Sequence, residues 1–169
     1  MDAFISPPAR IPWYLRLGLS IAERRGPLLP ARLLAWYPRA AIGSGLLEAL
    51  VAHHDGRMDE RMLKLVRMAV SFTVNCPFCI GLNSEGWEKL LTADELASLQ
   101  GDLAVFVARE RLAIEYARLA SSTPLVFTAA FGASLAAAFT PRELVVLATT
   151  AAQVNYWARL VQGLGVPAA

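Results

Sequence analysis

The sequence predicts an all-α protein that folds as a single domain over residues 1–169. Apolar residues recur at helical spacing along most of the chain, and no apolar/polar alternation is long enough to indicate a strand. Two Thr-x-x-Glu sequences have the form of helix capping boxes, and proline and glycine separate the helical segments. A chain of 169 residues is long enough to bury a hydrophobic core without disulfides or metals.

Three helical segments precede the helix that leads to the cysteines. We predict a helix over 12–25 that stops at Gly26-Pro27, and then a short helix or turn over 30–37 that Pro38 breaks. A third helix is predicted over 39–54, closed by Asp55-Gly56. Its apolar residues at helical spacing are Ile42, Leu46, Leu47, Leu50 and Val51.

The next two helices meet at the cysteine motif. Asp59 has the right residue type to cap a helix whose apolar face includes Leu65 and Val66. In Asn75-Cys76-Pro77 the proline is suited to the first helical position, where its missing N–H has no partner to lose. We therefore expect Cys76 to cap a new helix that runs to about Leu91.

Four more helices are predicted in the second half. Thr92 and Glu95 form one capping box, and the helix that follows ends at Gly101-Asp102. Residues 104–120 form the next helix before Pro124, and the mostly apolar stretch 126–138 is predicted to be a buried helix. Thr140-Pro-Arg-Glu143 is the second capping box, and it opens a last helix to about Gln162 with Gly163 as its stop.

Composition bears on the class of protein. Hydrophobic residues make up 56% of the chain and charged residues 18%, so it is either a membrane protein or a soluble subunit that hides apolar surface in an oligomer. The longest charge-free stretch, 119–141, contains polar residues and proline, and its apolar part is shorter than the roughly 20 residues that a span needs. The N-terminus lacks a signal pattern, and the net charge of +2 is dispersed. We expect a cytoplasmic protein with no membrane or nucleic-acid partner.

The chain has two cysteines, Cys76 and Cys79, three residues apart. In a cytosolic protein this spacing indicates redox or metal chemistry, although both could also be small buried hydrophobes. Zinc needs four ligands, or three and a water, and the remaining candidates, His53 and His54, point in different directions as neighbours on a helix. We therefore favour redox chemistry and expect neither a metal nor a cofactor.

A dithiol works through its thiolate. At a helix start Cys76 would feel the positive end of the helix dipole, which favours the ionised form. Cys79 lies one turn on, within reach of a disulfide. One thiolate can attack a peroxide or a disulfide, and the neighbouring sulfur can then resolve the product.

The stretch from Met62 to Cys79, with the following Ile-Gly-Leu-Asn83, resembles the core of the AhpD-like alkylhydroperoxidase and carboxymuconolactone decarboxylase superfamily. The resemblance implies an all-helical fold with a duplicated helical unit, and homo-oligomers that are commonly trimers or hexamers. It agrees with a faint repeat at an offset of 79 residues, between Lys64–Ala69 and Glu143–Ala148. In the peroxidase members, the second cysteine attacks the hydroperoxide, the first resolves it, and a glutamate and a histidine relay protons.

Carried over to this chain, the resemblance makes Cys79 the attacking thiol and Cys76 the resolving one, whereas the helix dipole favours Cys76 as the thiolate. Lys64 stands at the glutamate position and Asn83 at the histidine position, and neither is a usual proton carrier at neutral pH. Lys64 could stabilise a thiolate or simply pair with Glu60. Asn83 could bind a thiolate or a water, or make ordinary helix hydrogen bonds.

Other residues could complete the site. In the repeat, Glu143 corresponds to Lys64 and could supply the missing carboxylate, or it could only cap its own helix. Trp87, Tyr156 and Trp157 could line a pocket for an organic peroxide, or belong to the core or a subunit interface.

Three functions follow. The first is a thiol oxidoreductase that acts on a small hydroperoxide or disulfide and is recycled by a protein or low-molecular-weight thiol. The second is a lyase like carboxymuconolactone decarboxylase, although such members typically lack the cysteine pair. The third is a non-catalytic, redox-sensitive helical oligomer, since both relay residues are replaced.

Overall fold

The computed structural model describes residues 3–24, 28–51 and 55–168, and within these ranges it is helical without strands. The α-helices are α1 Trp13–Ala22, α2 Leu29–Leu33, α3 Pro38–Val51, α4 Glu60–Thr73, α5 Pro77–Ser84, α6 Ala93–Ser98, α7 Ala108–Ala120, α8 Ala129–Ala138 and α9 Pro141–Gly163. Two short 3₁₀ helices lie at Leu34–Trp36 and Trp87–Lys89. The all-α prediction is confirmed.

Helix α4 lies at the centre of the fold and packs against α5, α7 and α9. From Met62 to Ser71 its residues are buried, with the exception of Lys64. Since buried residues occupy nearly its whole circumference, α4 is surrounded by other helices. The chain leaves α4 and enters α5 within a few residues, so the cysteine motif is anchored directly to the core.

The helix starts predicted from capping side chains are confirmed. The Asp59 side chain accepts a hydrogen bond from the N–H of Arg61 at 3.1 Å. At Thr92 the hydroxyl accepts from the N–H of Glu95 at 3.2 Å, and the Glu95 carboxylate accepts from the N–H of Thr92 at 2.8 Å. The box at Thr140 and Glu143 has the same reciprocal bonds. Side-chain capping therefore fixes where α4, α6 and α9 begin.

Several predicted boundaries are wrong. Helix α5 ends at Ser84 instead of Leu91, because Gly86 takes a left-handed conformation, with φ of 67°, before a 3₁₀ turn. Helix α6 ends at Ser98, α7 begins only at Ala108, and α9 includes Gly163, the predicted stop. The predicted ends of the first and third helices, at 25–27 and at His53 and His54, lie outside the described residues.

Helix α8 was predicted to be buried, and this is wrong. Of its ten residues only Leu135 is buried, and Phe131 and Ala138 are partly covered by the core. An apolar composition predicts burial only when other elements are available to cover the helix, and here most of α8 remains exposed on the surface.

A large apolar surface is also exposed on α1 and α3. Its members are Trp13, Tyr14, Leu17, Ile21, Ile42, Leu46 and Leu50. Among the described residues no single helix is long and apolar enough to cross a membrane, and only α8 and α9 taken together, bent by 116°, meet the criteria of length and composition.

Candidate active site

The two cysteines lie at the N-terminus of α5. Cys76 caps the helix, as predicted, with its sulfur accepting the N–H of Cys79 at 3.3 Å, and Pro77 occupies the first helical position. Both cysteines are free thiols, and they are 1% and 3% exposed. The dithiol is therefore preorganised by the backbone and shielded from bulk water.

The two thiols differ in acidity, because their pKa values shift in opposite directions. The S–H of Cys79 donates to Cys76, and together with backbone N–H groups this lowers the pKa of Cys76 to about 7. The same hydrogen bond and burial raise the pKa of Cys79. Cys76 is thus the more readily ionised of the two thiols, as the helix-dipole argument predicts, while the attacking role that the resemblance gives to Cys79 stays a prediction.

Apolar side chains surround the pair. Ala158 and Val161 of α9 pack against the sulfurs, with Val74, Phe78 and Val166 at the edge of the cluster. Gln162 donates to the backbone oxygens of Val74 and Asn75, at 3.1 and 3.2 Å, and so ties α9 to the turn before Cys76. The low-polarity surroundings make any charge near the sulfurs more effective than it would be in water.

A buried arginine, Arg67, lies on the α4 side of the dithiol. It is 4% exposed, and its Nε donates to Asn83 Oδ1 at 2.9 Å while Nη1 donates to Gln153 Oε1 at 3.0 Å. Burial lowers the pKa of Arg67, opposed by the charges of Glu48 and Cys79. A guanidinium nonetheless stays charged in proteins, so the dithiol has a fixed cation as neighbour.

Asn83, at the histidine position, is part of this arrangement. It lies one turn after Cys79 on α5 and is buried, and its Nδ2 donates to Ser71 Oγ at 2.9 Å. The Ser71 hydroxyl in turn donates to the backbone oxygen of Arg67 at 2.8 Å. Asn83 therefore helps to hold Arg67 in place, and its binding of a thiolate or a water stays a prediction.

The carboxylate near this network comes from α3. Glu48 Oε2 accepts from Gln153 Nε2 at 2.7 Å and from Trp157 Nε1 at 2.9 Å, and Oε1 lies 4.0 Å from Arg67 Nη2. We call Glu48, Gln153, Arg67 and Asn83 the guanidinium network. It connects the partly exposed Glu48 with the helix that carries the dithiol.

Two further candidates, Lys64 and Glu143, have partners of their own in the structure. Lys64 Nζ donates to the backbone oxygen of Glu85 at 2.6 Å, beyond the C-terminal end of α5, whereas the cysteines lie at its N-terminal end. Glu143 caps α9 and pairs with Arg109 at 2.6 Å, so its interpretation as the missing carboxylate is wrong.

The three aromatic candidates have different partners. Trp157 donates to Glu48 at the edge of the guanidinium network, and the Tyr156 hydroxyl lies 2.6 Å from Ser44 Oγ on α3. Trp87 packs on the main core. Contact of these aromatic residues with a substrate stays a prediction.

Sequence reasoning missed Arg67, Gln153 and Glu48. A signal existed for the first two: each occupies a buried position of its helix, where a polar residue requires partners. For Glu48 no comparable signal exists, because one acidic residue on α3 looks like any solvated carboxylate.

No family model matches the sequence, and no curated protein matches it. Solved structures match along nearly the whole chain. An uncharacterized peroxidase-related protein from Silicibacter sp. TM1040 superposes with a TM-score of 0.82 at 13% identity, covering 98% of this chain and 91% of the other. The alkylhydroperoxidase AhpD core protein from Ralstonia eutropha JMP134, also peroxidase-related and uncharacterized, gives 0.79 at 17% identity, with coverages of 100% and 93%.

A third match is the debrominase Bmp8 in complex with 2,3,4-tribromopyrrole, with a TM-score of 0.80 at 15% identity and coverages of 100% and 93%. At these identities the similarity concerns the fold alone. The chain has the all-α fold of AhpD-like, peroxidase-related proteins.

Proposed function

We propose that the protein is a thiol-dependent oxidoreductase that reduces a small hydroperoxide or disulfide with the Cys76–Cys79 dithiol. The observation that carries the proposal is the placement of two buried free thiols at the start of α5, where the Cys76 sulfur accepts the N–H of Cys79 at 3.3 Å. A thiol whose pKa lies near ambient pH combines a substantial thiolate fraction with good nucleophilicity.

With a hydroperoxide, the Cys76 thiolate attacks the outer peroxide oxygen, the O–O bond breaks, and the alcohol leaves after taking a proton. Cys79 then attacks the sulfur of the Cys76 sulfenic acid, forming the disulfide and releasing water. The two electrons that reduce the peroxide come from the two sulfurs. A protein or low-molecular-weight thiol restores the dithiol by two successive thiol–disulfide exchanges.

The activity is tested by turnover. Wild type and the double variant Cys76→Ser/Cys79→Ser would be assayed for consumption of an organic hydroperoxide and of an aromatic disulfide, with a dithiol reductant present. We include 2,3,4-tribromopyrrole as a third two-electron acceptor because it is bound by the debrominase of the same fold. The proposal requires turnover of at least one oxidant that the double variant loses, and equal turnover by both proteins would overturn it.

The same assay separates the alternatives. A lyase acting on a small lactone acid would convert its substrate equally well in the double variant, without any change in thiol count. A non-catalytic, redox-sensitive oligomer would oxidise once and fail to turn over with every reductant.

The rate of the first oxidation is expected to rise with pH through about 7 and then to level off. The reacting form is the thiolate, whose pKa is about 7, so the rate is low when Cys76 is protonated and reaches its plateau above that pKa. Among the described residues, the charged neighbours of the sulfurs are Arg67 and, behind it, Glu48, while α9 contributes uncharged side chains.

This pH dependence would be measured by stopped-flow oxidation with a limiting hydroperoxide. A bell-shaped profile with a falling limb just above neutrality would contradict it, because such a limb requires a titrating general acid of the kind that the usual histidine supplies.

We also propose that the subunit forms a homo-oligomer, a trimer or hexamer, through the apolar surface of α1 and α3. Large exposed apolar patches on a subunit are typical of association surfaces. In sedimentation experiments Leu50→Asp, placed on a side chain that is 81% exposed, is expected to lower the mass, whereas the polar-surface control Glu88→Gln is not. A wild type that sediments as a monomer would refute the proposal.

A further inference from the structure

We propose that Arg67 is a positioning residue that stabilises negative charge on Cys79 when Cys76 is bound to another atom, and that the guanidinium network thereby replaces a titrating proton relay. This inference rests on the proposed function, because it assigns a role within the thiol reaction. The proposed role of Arg67 concerns Cys79. Cys76 is activated separately, by its position at the helix start and by the hydrogen bond from Cys79.

The position of Arg67 supports this role. Its guanidinium is bonded through Nε to Asn83, which lies one turn after Cys79 and therefore on the same side of α5. Nη1 is bonded to Gln153 on the opposite side, so the planar group is clamped between α5 and α9. A donor group fixed in this way stabilises developing charge without the cost of reorganising itself.

The charges around Arg67 also support a role in stabilising an anion on Cys79. The carboxylate of Glu48 lies 4.0 Å from Arg67 Nη2, and its side chain is 37% exposed, whereas Arg67 is almost fully buried. The cation is therefore incompletely neutralised in the core, where an uncompensated charge is costly. An anion on Cys79 would relieve this cost, and the charge of Arg67 acts to lower the pKa of Cys79 against burial and the bond to Cys76.

Two steps of the reaction need that anion. When Cys76 is a sulfenic acid, the Cys79 thiolate attacks its sulfur, the S–O bond breaks, and hydroxide leaves as water after protonation. When a reductant thiolate attacks Cys76 in the disulfide, the S–S bond breaks and its electron pair leaves on Cys79. A leaving thiolate of lower pKa departs faster, so Arg67 accelerates reduction as well as resolution.

The test measures Cys79 by itself. In the Cys76→Ser background the Cys79 thiolate is followed by its ultraviolet absorbance against pH, alone and combined with Arg67→Gln, Arg67→Lys or Glu48→Gln. Arg67→Gln, which removes the cation, is expected to raise the pKa of Cys79 by about one unit. At a pH below that pKa, the thiolate fraction is then tenfold lower. Glu48→Gln, which removes the countercharge, is expected to lower the pKa of Cys79. Arg67→Lys keeps a positive charge, so it is expected to raise this pKa less than Arg67→Gln does.

The opposite signs are decisive, because a merely structural role for the network predicts that Arg67→Gln and Glu48→Gln move the Cys79 pKa in the same direction. Equal shifts in these two variants, or none in either, would overturn the proposal. If Arg67→Gln does not fold, as judged by circular dichroism, the signs of Glu48→Gln and Arg67→Lys relative to the background decide the question alone.

A second readout uses the intact dithiol. The disulfide is formed with a chemical oxidant and its reduction by dithiothreitol is timed at fixed pH, where Arg67→Gln is expected to be about tenfold slower and Glu48→Gln faster than wild type. Neither measurement requires turnover of a substrate. The proposed function can therefore fail while the role of Arg67 stands, and the reverse is also possible.

Discussion

Replacing Cys76 by serine is expected to abolish turnover and to slow the reaction of the protein with its first equivalent of hydroperoxide about tenfold at pH 7. The thiolate with a pKa of about 7 is lost, and Cys79 remains with burial raising its pKa. At pH 7 a thiol with an ordinary pKa near 9 has about 50-fold less thiolate than a thiol with a pKa of about 7. A more basic thiolate is also more nucleophilic, so part of the loss in rate is recovered. The rate would be measured by stopped flow.

The matched control is Cys79→Ser. Its hydroxyl can still donate toward Cys76, so the first equivalent of hydroperoxide is expected to be consumed at close to the wild-type rate. The reaction then stops at the sulfenic acid, because no second sulfur is present to form a disulfide. If instead Cys76→Ser retains the fast first step and Cys79→Ser loses it, Cys79 attacks first, as the family resemblance implies.

Replacing Arg61 by alanine is expected to lower the free energy of unfolding by about 3 kcal/mol, which corresponds to a fall of about 10 °C in the melting temperature. Arg61 Nη2 lies 2.5 Å from Glu95, Nε lies 2.7 Å from Glu110, and Nη1 donates to the backbone oxygen of Leu90 at 2.6 Å. All three charged side chains are mostly buried. The variant would leave two carboxylates close together without their cation.

Urea unfolding would measure this loss, with Arg109→Ala as the control, since Arg109 forms an exposed pair with Glu143 that should contribute less than about 1 kcal/mol.

The loss of stability in Arg61→Ala should also depend on pH. Arg61 lowers the pKa of Glu95 to about 2, so the stabilisation is complete above the ordinary carboxyl pKa of about 4.3 and is lost as the pH falls toward 2. Equal losses in both variants, or a loss that persists at pH 2, would refute this account.

The parts that could be predicted from sequence are those set by local chemistry. Asp59, Thr92 and Thr140 mark helix starts because their side chains bond backbone groups within three residues, and Pro77 marks the start at Cys76 in the same way. The acidity of Cys76 follows from that local geometry as well. These interactions need no knowledge of how the helices pack.

The parts that could not be predicted depend on contacts between distant segments. Glu48 meets Gln153 across 105 positions and Arg67 meets Gln153 across 86, and nothing local links these residues. Helix α8 has the composition of a buried helix, yet the packing of α4, α7 and α9 leaves most of it uncovered. Lys64 was placed by analogy with a glutamate, although its longer side chain reaches Glu85 instead.

The most direct test of the central claim is a titration of the reduced protein with one equivalent of an organic hydroperoxide, followed by thiol counting and peptide mapping. The dithiol account predicts that both free thiols disappear together, that a Cys76–Cys79 disulfide is the product, and that a dithiol reductant restores both thiols. Two thiols that remain free after the hydroperoxide is added, or cysteines oxidised to sulfinic acid without a disulfide, would contradict it.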